Sequence, residues 1–313
     1  MSRPLAASEG PLVVAGEALI DLIQQPNGLL SPQLGGSPWN LARALGRLGR
    51  PVHYRNPLST DGYGQQLAQA LDQSQVLRTG GHSHCPTSLA LVKVDAQGHP
   101  DYAFYREGVA DRDLAPLAVL ETWPPEARLF HVGSLSLLPP DGYHWLTLLE
   151  TLLTRGVTTS VDINMRPMVA SDKAAYAELA RQVLQRACIA KVSDEDLKAM
   201  HLPGEALTEA TQLLNHTTQV VLLTLGRAGA WCLTHQGRWF QPPPQVTVVD
   251  AVGAGDCFYA GFLARLDELD ALAVAERGAP AAEVISEALA FGARTTAHNL
   301  QQAGCQPPWR HEV

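Results

Sequence analysis

The chain has 313 residues, 46% of them hydrophobic, with 23 Lys plus Arg against 31 Asp plus Glu and a formal charge of −8. That composition suffices for a full core, as one large domain or as one domain with a smaller attachment. A net acidic chain without a basic cluster argues against nucleic acid and anionic membranes as partners, so a phosphate ligand must be held locally, by backbone N–H groups or a few arginines.

In chain order, Pro11–Glu17 reads as a first strand and Pro38–Leu48 as a helix that stops at Gly49. Leu19–Leu34 between them carries strand and turn signals. Val52–Leu58 reads as a strand and Gln65–Leu71 as a helix. Ser88–Val94 alternates in strand fashion, Ala96-Gln97-Gly98-His99-Pro100 has turn chemistry, and Asp101–Arg106 alternates again, which makes a hairpin with no helix. Leu129–Leu135 is a strand, Trp145–Leu153 a helix, Thr159–Ile163 a strand and Ala174–Arg186 a helix. Ile189–Val192, Val220–Leu225 and Ala230–Thr234 read as further strands, Val246–Val249 leads into a glycine turn, and Ala282–Gln301 is the last long helix. The alternation implies an α/β fold with a mostly parallel, doubly wound sheet. The helix-free segments around 17–35 and 88–108 predict a small separate β-sheet, either a lid or an edge extension.

Five dispersed cysteines, Cys85, Cys188, Cys232, Cys257 and Cys305, form no zinc spacing and fit a reducing cytoplasm. Cys257 follows Asp256 at a helix start, where a thiol is either activated or simply packed into the core. No stretch reads as a leader or a bilayer span, so the expected location is cytoplasmic.

The run Asp250-Ala251-Val252-Gly253-Ala254-Gly255-Asp256 followed by an amphipathic segment reads as strand, tight glycine turn and helix. Glycines let backbone approach a bound group, and the helix start offers unpaired N–H donors to an anion. A carboxylate beside that anion site suits phosphoryl transfer to a hydroxyl, with Asp256 as base. The same pattern also serves a plain connection in which Asp256 caps the helix.

Further motifs accompany the turn in a fixed order. They are Gly16-Glu17-Ala18-Leu19-Ile20-Asp21, Gly35-Gly36-Ser37-Pro38-Trp39-Asn40-Leu41-Ala42, Leu58-Ser59-Thr60-Asp61-Gly62-Tyr63-Gly64 and Thr224-Leu225-Gly226-x-x-Gly229. Together they resemble the ribokinase-like (PfkB) family of sugar kinases, from Gly16 to Pro308. Phe104-Tyr105-Arg106-Glu107-Gly108-Val109-Ala110-Asp111-Arg112 and Asp162-Ile163-Asn164-Met165-Arg166-Pro167 look most like the bacterial fructokinases.

The resemblance implies one kinase domain over 1–313, with a lid built from 17–35 and 88–108, using ATP and Mg²⁺. It implies sugar contacts from Asp21, Gly35, Gly36, Asn40, Arg106 and Arg166, and a phosphate cradle from Gly253, Ala254 and Gly255 beside the base Asp256. Nucleotide contacts fall to Ser193, Asp196, Thr224, Gly226 and Gly229, and a K⁺ site to Asp250 and the Val252 carbonyl. A homodimer through the lid is also implied. Two departures stand out: Ser193 and Asp196 replace the family's Asn and Glu, and Ala251 replaces its usual Thr. The expected reaction is transfer of the ATP γ-phosphate to a primary hydroxyl, most of all that of fructose. The alternatives are a 2-keto-3-deoxygluconate kinase, whose acid substrate would need a carboxylate clamp, and a sugar-binding sensor without turnover.

Overall fold

The computed structural model describes residues 10–25, 27–94 and 100–313. Among them, nine strands form the main sheet in the order β15 (Gly237–Gln241), β14 (Ala230–Thr234), β13 (Val220–Thr224), β12 (Ile189–Ser193), β11 (Thr158–Asp162), β10 (Leu129–Gly133), β1 (Leu12–Val14), β4 (Val52–Tyr54) and β6 (Val76–Arg78). Pairing is parallel from β13 through β6 and antiparallel at β13–β14 and β14–β15.

The period of two along each strand divides the core into two layers. Leu12, Val14, Val220 and Leu222 point to one layer, Val13, Val221 and Leu223 to the other, and all are fully buried. The first layer is covered by α1 (Ser37–Arg47), α2 (Gly62–Gln73), α7 (Ala254–Glu268) and α9 (Ala282–Leu300). The second is covered by α3 (Asp141–Thr154), α4 (Lys173–Leu184), α5 (Asp194–Ala199) and α6 (Ala206–Gln212). A short helix, α8 (Val274–Arg277), connects α7 to α9. The doubly wound expectation holds. No helix among the described residues is long and apolar enough to cross a membrane.

The helix-free segments do form a separate sheet, in the order β3 (Leu30–Gly35), β2 (Leu19–Gln24), β8 (Ser88–Val94) and β9 (Pro100–Tyr105). β2 and β8 run parallel; the outer pairs are antiparallel. Pro100, read as turn, already belongs to β9; the rest of that predicted turn lies outside the described residues. Two-residue strands β5 (Leu58–Ser59) and β7 (His82–Ser83) complete the set.

Several boundaries differ from the sequence reading. The first strand ends at Val14 rather than Glu17, and Leu129–Leu135 ends at Gly133 in favour of a 3₁₀ turn over Ser134–Leu137. Val52–Leu58 divides into β4 and β5 around Pro57, which has no N–H to give a ladder. Val246–Val249 is not a strand. Its valines favour a strand, but Val248 and Val249 are exposed and Val249 N–H reaches only the Leu300 carbonyl of α9 (2.7 Å). β6, β15, α5 and α6 were not anticipated.

Candidate active site

Two helix starts converge beyond the ends of the parallel strands, where ligands of α/β sheets gather. At α1 the cap is Gly36, with φ 113°; a β-carbon there would lie 2.3 Å from the Glu17 carbonyl oxygen, so only glycine fits. At α7 the cap is Gly253, with φ 72°, and its missing β-carbon leaves room for Cys305 Sγ. Asp256, in the first turn of α7, takes hydrogen bonds from α1 on both carboxylate oxygens. Ser37 Oγ donates to Oδ1 at 2.7 Å and Asn40 Nδ2 to Oδ2 at 2.8 Å. Asp256 is therefore no mere cap: no side-chain cap bond forms at this helix start. Burial raises its pKa, opposed by those two donors and then by Lys191 and Arg166.

The glycine turn presents its N–H groups unevenly. Ala254 N–H donates to the Ala251 carbonyl (3.1 Å), closing the turn. Of the three residues expected in the cradle, Ala254 thus has its N–H engaged within the turn. Gly253 and Gly255 N–H have no hydrogen-bond partner among the described residues. Beneath them lies a cation that the sequence reading assigned no role. Lys191, in the middle of β12, is 5% exposed, and a β-carbon on Gly255 would sit 3.4 Å from its Nζ. Its Nζ donates to Asp162 Oδ2 at 2.7 Å. Burial, the largest single influence, would lower the Lys191 pKa, but Asp162, Asp196 and Asp256 together outweigh it and the net direction is up, so the ammonium keeps its charge. Burial pushes Asp162 up to about 6 against the pull of Lys191. Asp162 Oδ1 is buried and has no hydrogen-bond partner among the described residues. A lysine inside the apolar run Ile-Ala-Lys-Val was the available signal, because unpaired lysines are seldom buried.

On the other side of Asp256, Asn40 Oδ1 is also buried and unpartnered. Asp21 projects from β2 against β3; a β-carbon on Gly35 would lie 2.4 Å from its Oδ2. Burial pushes Asp21 up to about 6, Arg166 lowering and Glu17 raising it. Arg166 Nη1 donates to the Asn164 side chain (2.7 Å) and to the Asn164 and Met165 carbonyls. Arg106, expected to close over a sugar, is paired with protein groups in this structure. Nη2 pairs with buried Asp111 (2.9 Å) and Nη1 reaches the Leu135 carbonyl (3.2 Å), pinning the end of β9 to the main body. Local charge pairing wins because Asp111 is itself buried and needs a cation.

Ser193 and Asp196 form a capping box at α5: Asp196 Oδ2 accepts from Ser193 N and Oγ, each 2.8 Å, and Oδ1 from Met165 N at 2.7 Å. Their pattern is also a helix-start signature, beside the nucleotide role that the resemblance implies. Thr224 ends β13, and Gly226 and Gly229 follow with φ of 53° and 100°. Asp250 accepts from Val252 N (3.0 Å) and Gly304 N (2.9 Å), while the Val252 carbonyl accepts from Asn299 Nδ2 (2.8 Å). These oxygens, assigned to K⁺, brace the loop against the end of α9. Cys257 is buried, with its pKa raised by contact with Cys305 and by burial, which settles the packed reading over the reactive one.

The pfkB family carbohydrate kinase pattern matches residues 11–312. This chain belongs to that family. It is 36% identical over 265 residues to a fructokinase of Rhizobium leguminosarum bv. trifolii, covering 82% of this chain and 79% of the relative. It is 33% identical to a probable fructokinase-4 of Arabidopsis thaliana, covering 93% of each. Among solved structures it is similar to a fructokinase of Xylella fastidiosa with bound ATP, with a TM-score of 0.84, 26% identity and 95% of each chain covered. A fructokinase of Vibrio cholerae O395, determined with fructose, ADP and calcium ion, shares the fold at a TM-score of 0.80, 23% identity and 95% coverage of each chain. The protein is a carbohydrate kinase, and the reading as a sensor without turnover falls. In this kinase the sequence motifs locate Asp256 and its glycines; Ser37 and Lys191, given no role there, are their neighbours, with Glu17 behind Ser37 and Asp162 behind Lys191.

Proposed function

We propose that this kinase transfers the γ-phosphoryl group of ATP to a primary hydroxyl of fructose. The observation that carries the reading is Asp256 held on both oxygens at two converging helix starts, beside unpaired glycine N–H groups and buried Lys191. In the reaction the sugar oxygen attacks the γ-phosphorus, the bond to the ADP oxygen breaks, and the hydroxyl proton passes to Asp256. Gly253 and Gly255 N–H and the Lys191 ammonium stabilise charge on the transferring group, an effect that grows in a dry site. Thr224, Gly226 and Gly229 line the nucleotide side.

The sugar enters against the small sheet, which acts as a lid. Asp21 accepts from its hydroxyls, Gly35 and Gly36 let backbone approach, and unpartnered Asn40 Oδ1 accepts one further O–H. Arg166 lies on this side, within electrostatic reach of both Asp21 and Asp256. The commitment of Arg106 to Asp111 favours a neutral sugar over 2-keto-3-deoxygluconate, because only Arg166 remains near Asp21 to clamp an acid. Exposed Leu29, Leu30 and Tyr105 on the small sheet support a homodimer through it, in a cytoplasmic enzyme.

The donor set suits Mg²⁺ carried in on the nucleotide. No group of three His, Cys, Asp or Glu forms a ready cage among the described residues, which matches an ion that keeps its waters and phosphate ligands. Asp162 Oδ1, buried without a partner, would hold its hydration shell. Bound Mg²⁺ neutralises charge on the phosphates. The K⁺ ligands expected at Asp250 and Val252 already serve the loop, so no step depends on them.

A coupled ADP-release screen over fructose, tagatose, ribose, 2-keto-3-deoxygluconate and adenosine tests the assignment. Fructose should give the highest kcat/KM. A higher value for the acid sugar would remove fructose and leave the kinase reading standing.

A further inference from the structure

Ser37 is the first residue of α1 and is gripped from both ends. Its backbone N–H donates to Glu17 Oε1 (3.3 Å), and its hydroxyl donates to Asp256 Oδ1 (2.7 Å). Glu17 is itself fully enclosed and takes a second bond on Oε2 from Ser136 Oγ (3.3 Å). Glu17 therefore fixes the start of α1, and Ser37 transmits that position to Asp256 of α7, across 219 residues of chain. A carboxylate can rotate about its last torsion; two donors on opposite oxygens stop it. Asn40 supplies one donor and Ser37 the other.

We propose that Ser37 is a positioning residue for the phosphoryl-transfer step, its hydroxyl holding Asp256 ionised and turned so that a free lone pair faces the acceptor hydroxyl of the sugar. The inference rests on Asp256 being the base. It assigns Ser37 a part in turnover and none in binding ATP. Without the Ser37 hydroxyl, burial of Asp256 is opposed only by Asn40 and, at longer range, by Lys191 and Arg166. The other titratable groups facing Asp256 are Asp162 on β11 and Cys257 on α7 itself. Asp162 is held by Lys191, and Cys257 by Cys305; neither hydrogen bonds Ser37.

The test is the pH dependence of kcat, with fructose and ATP both saturating, for wild type, Ser37→Ala, Ser37→Thr and Asp256→Asn, each matched for melting temperature. Saturating sugar keeps ionisation of Asp21 out of kcat and in KM. Removing a donor to a carboxylate favours its protonated form, so the acid limb of Ser37→Ala should move up by about one pH unit. Its kcat should fall by up to about ten-fold on the acid limb and much less on the plateau above it, with KM for ATP unchanged. Ser37→Thr, which keeps the hydroxyl, should restore the wild-type limb. A Ser37→Ala profile that overlays wild type, or a Ser37→Thr profile that stays shifted, overturns the proposal while the base assignment survives. Asp256→Asn with wild-type turnover overturns both, beginning with the base.

Discussion

The two sheets of this kinase treat their polar groups in opposite ways. In the nine-stranded sheet, strands such as β11 and β12 are covered on both faces, and the charges they carry are answered by protein: Lys191 by Asp162, and beyond the strand ends Asp256 by Ser37 and Asn40. In the four-stranded sheet, β3 is largely exposed, and Asp21 on β2 has no side-chain hydrogen-bond partner among the described residues although burial pushes it up to about 6. A carboxylate left unanswered in a half-buried place costs stability, and one that a ligand can answer is a binding site. On the proposed function, the difference separates a preorganised platform for the chemistry from a sheet that would offer its carboxylate to the sugar.

The comparison can be broken most sharply at Lys191. Lys191→Met should lower kcat about 10²–10³-fold, as loss of a preorganised charge does. It should also destabilise the fold by about 3–5 kcal/mol, because Asp162 is left buried and unpaired. Adding Asp162→Asn should recover most of the melting temperature and little of the turnover. Recovery of both would make the pair a structural ion pair only.

On the small sheet the expectation is a change in sugar binding. Asp21→Asn should raise KM for fructose about ten-fold, the scale of one hydrogen bond to a charged acceptor, with a smaller change in kcat. The pH dependence has a definite sign. The folded pKa of Asp21 lies above its ordinary value, so its contribution to stability is fully present at low pH and is lost as pH rises through about 6. Melting temperatures of the sugar-free protein should therefore show Asp21→Asn gaining on wild type between pH 5 and 7. Fructose KM should move the other way in wild type, falling as the carboxylate ionises. A flat KM across that range would remove Asp21 from the sugar site.

The smallest effect is dynamic. Amide exchange in β8 and in residues 100–108 should slow several-fold with saturating fructose, while β11 and β12 stay protected throughout. Unchanged exchange in β8 and β9 would make the small sheet an edge extension and not a lid.

Much of this was legible in the sequence. Strand and turn signals at Leu19–Leu34 and alternation at Ser88–Val94 mark the small sheet; in β8 the alternation follows burial, with Ala90 and Val92 buried and Lys93 exposed. The glycine turn gave the α7 start, since Gly253 occupies a conformation that side chains avoid. Pairings across the chain were not legible. Nothing within ten residues of Asp256 points to Ser37 or Asn40, nothing near Arg106 marks Asp111 as its partner over a sugar, and β propensity at Val246–Val249 meets no sheet edge to join. Ser193–Asp196 shows a further limit: the same residues that the resemblance assigns to nucleotide also form the capping box of α5, and the pattern alone does not separate the two roles.

The central claim is that Asp256 takes the proton from the sugar. Asp256→Asn keeps the size of the side chain and removes the acceptor charge, so the variant should bind fructose and ATP, melt near wild type, and lose about 10²–10⁴ in kcat. Turnover of Asp256→Asn within a few-fold of wild type, at saturating fructose and ATP, would contradict the account.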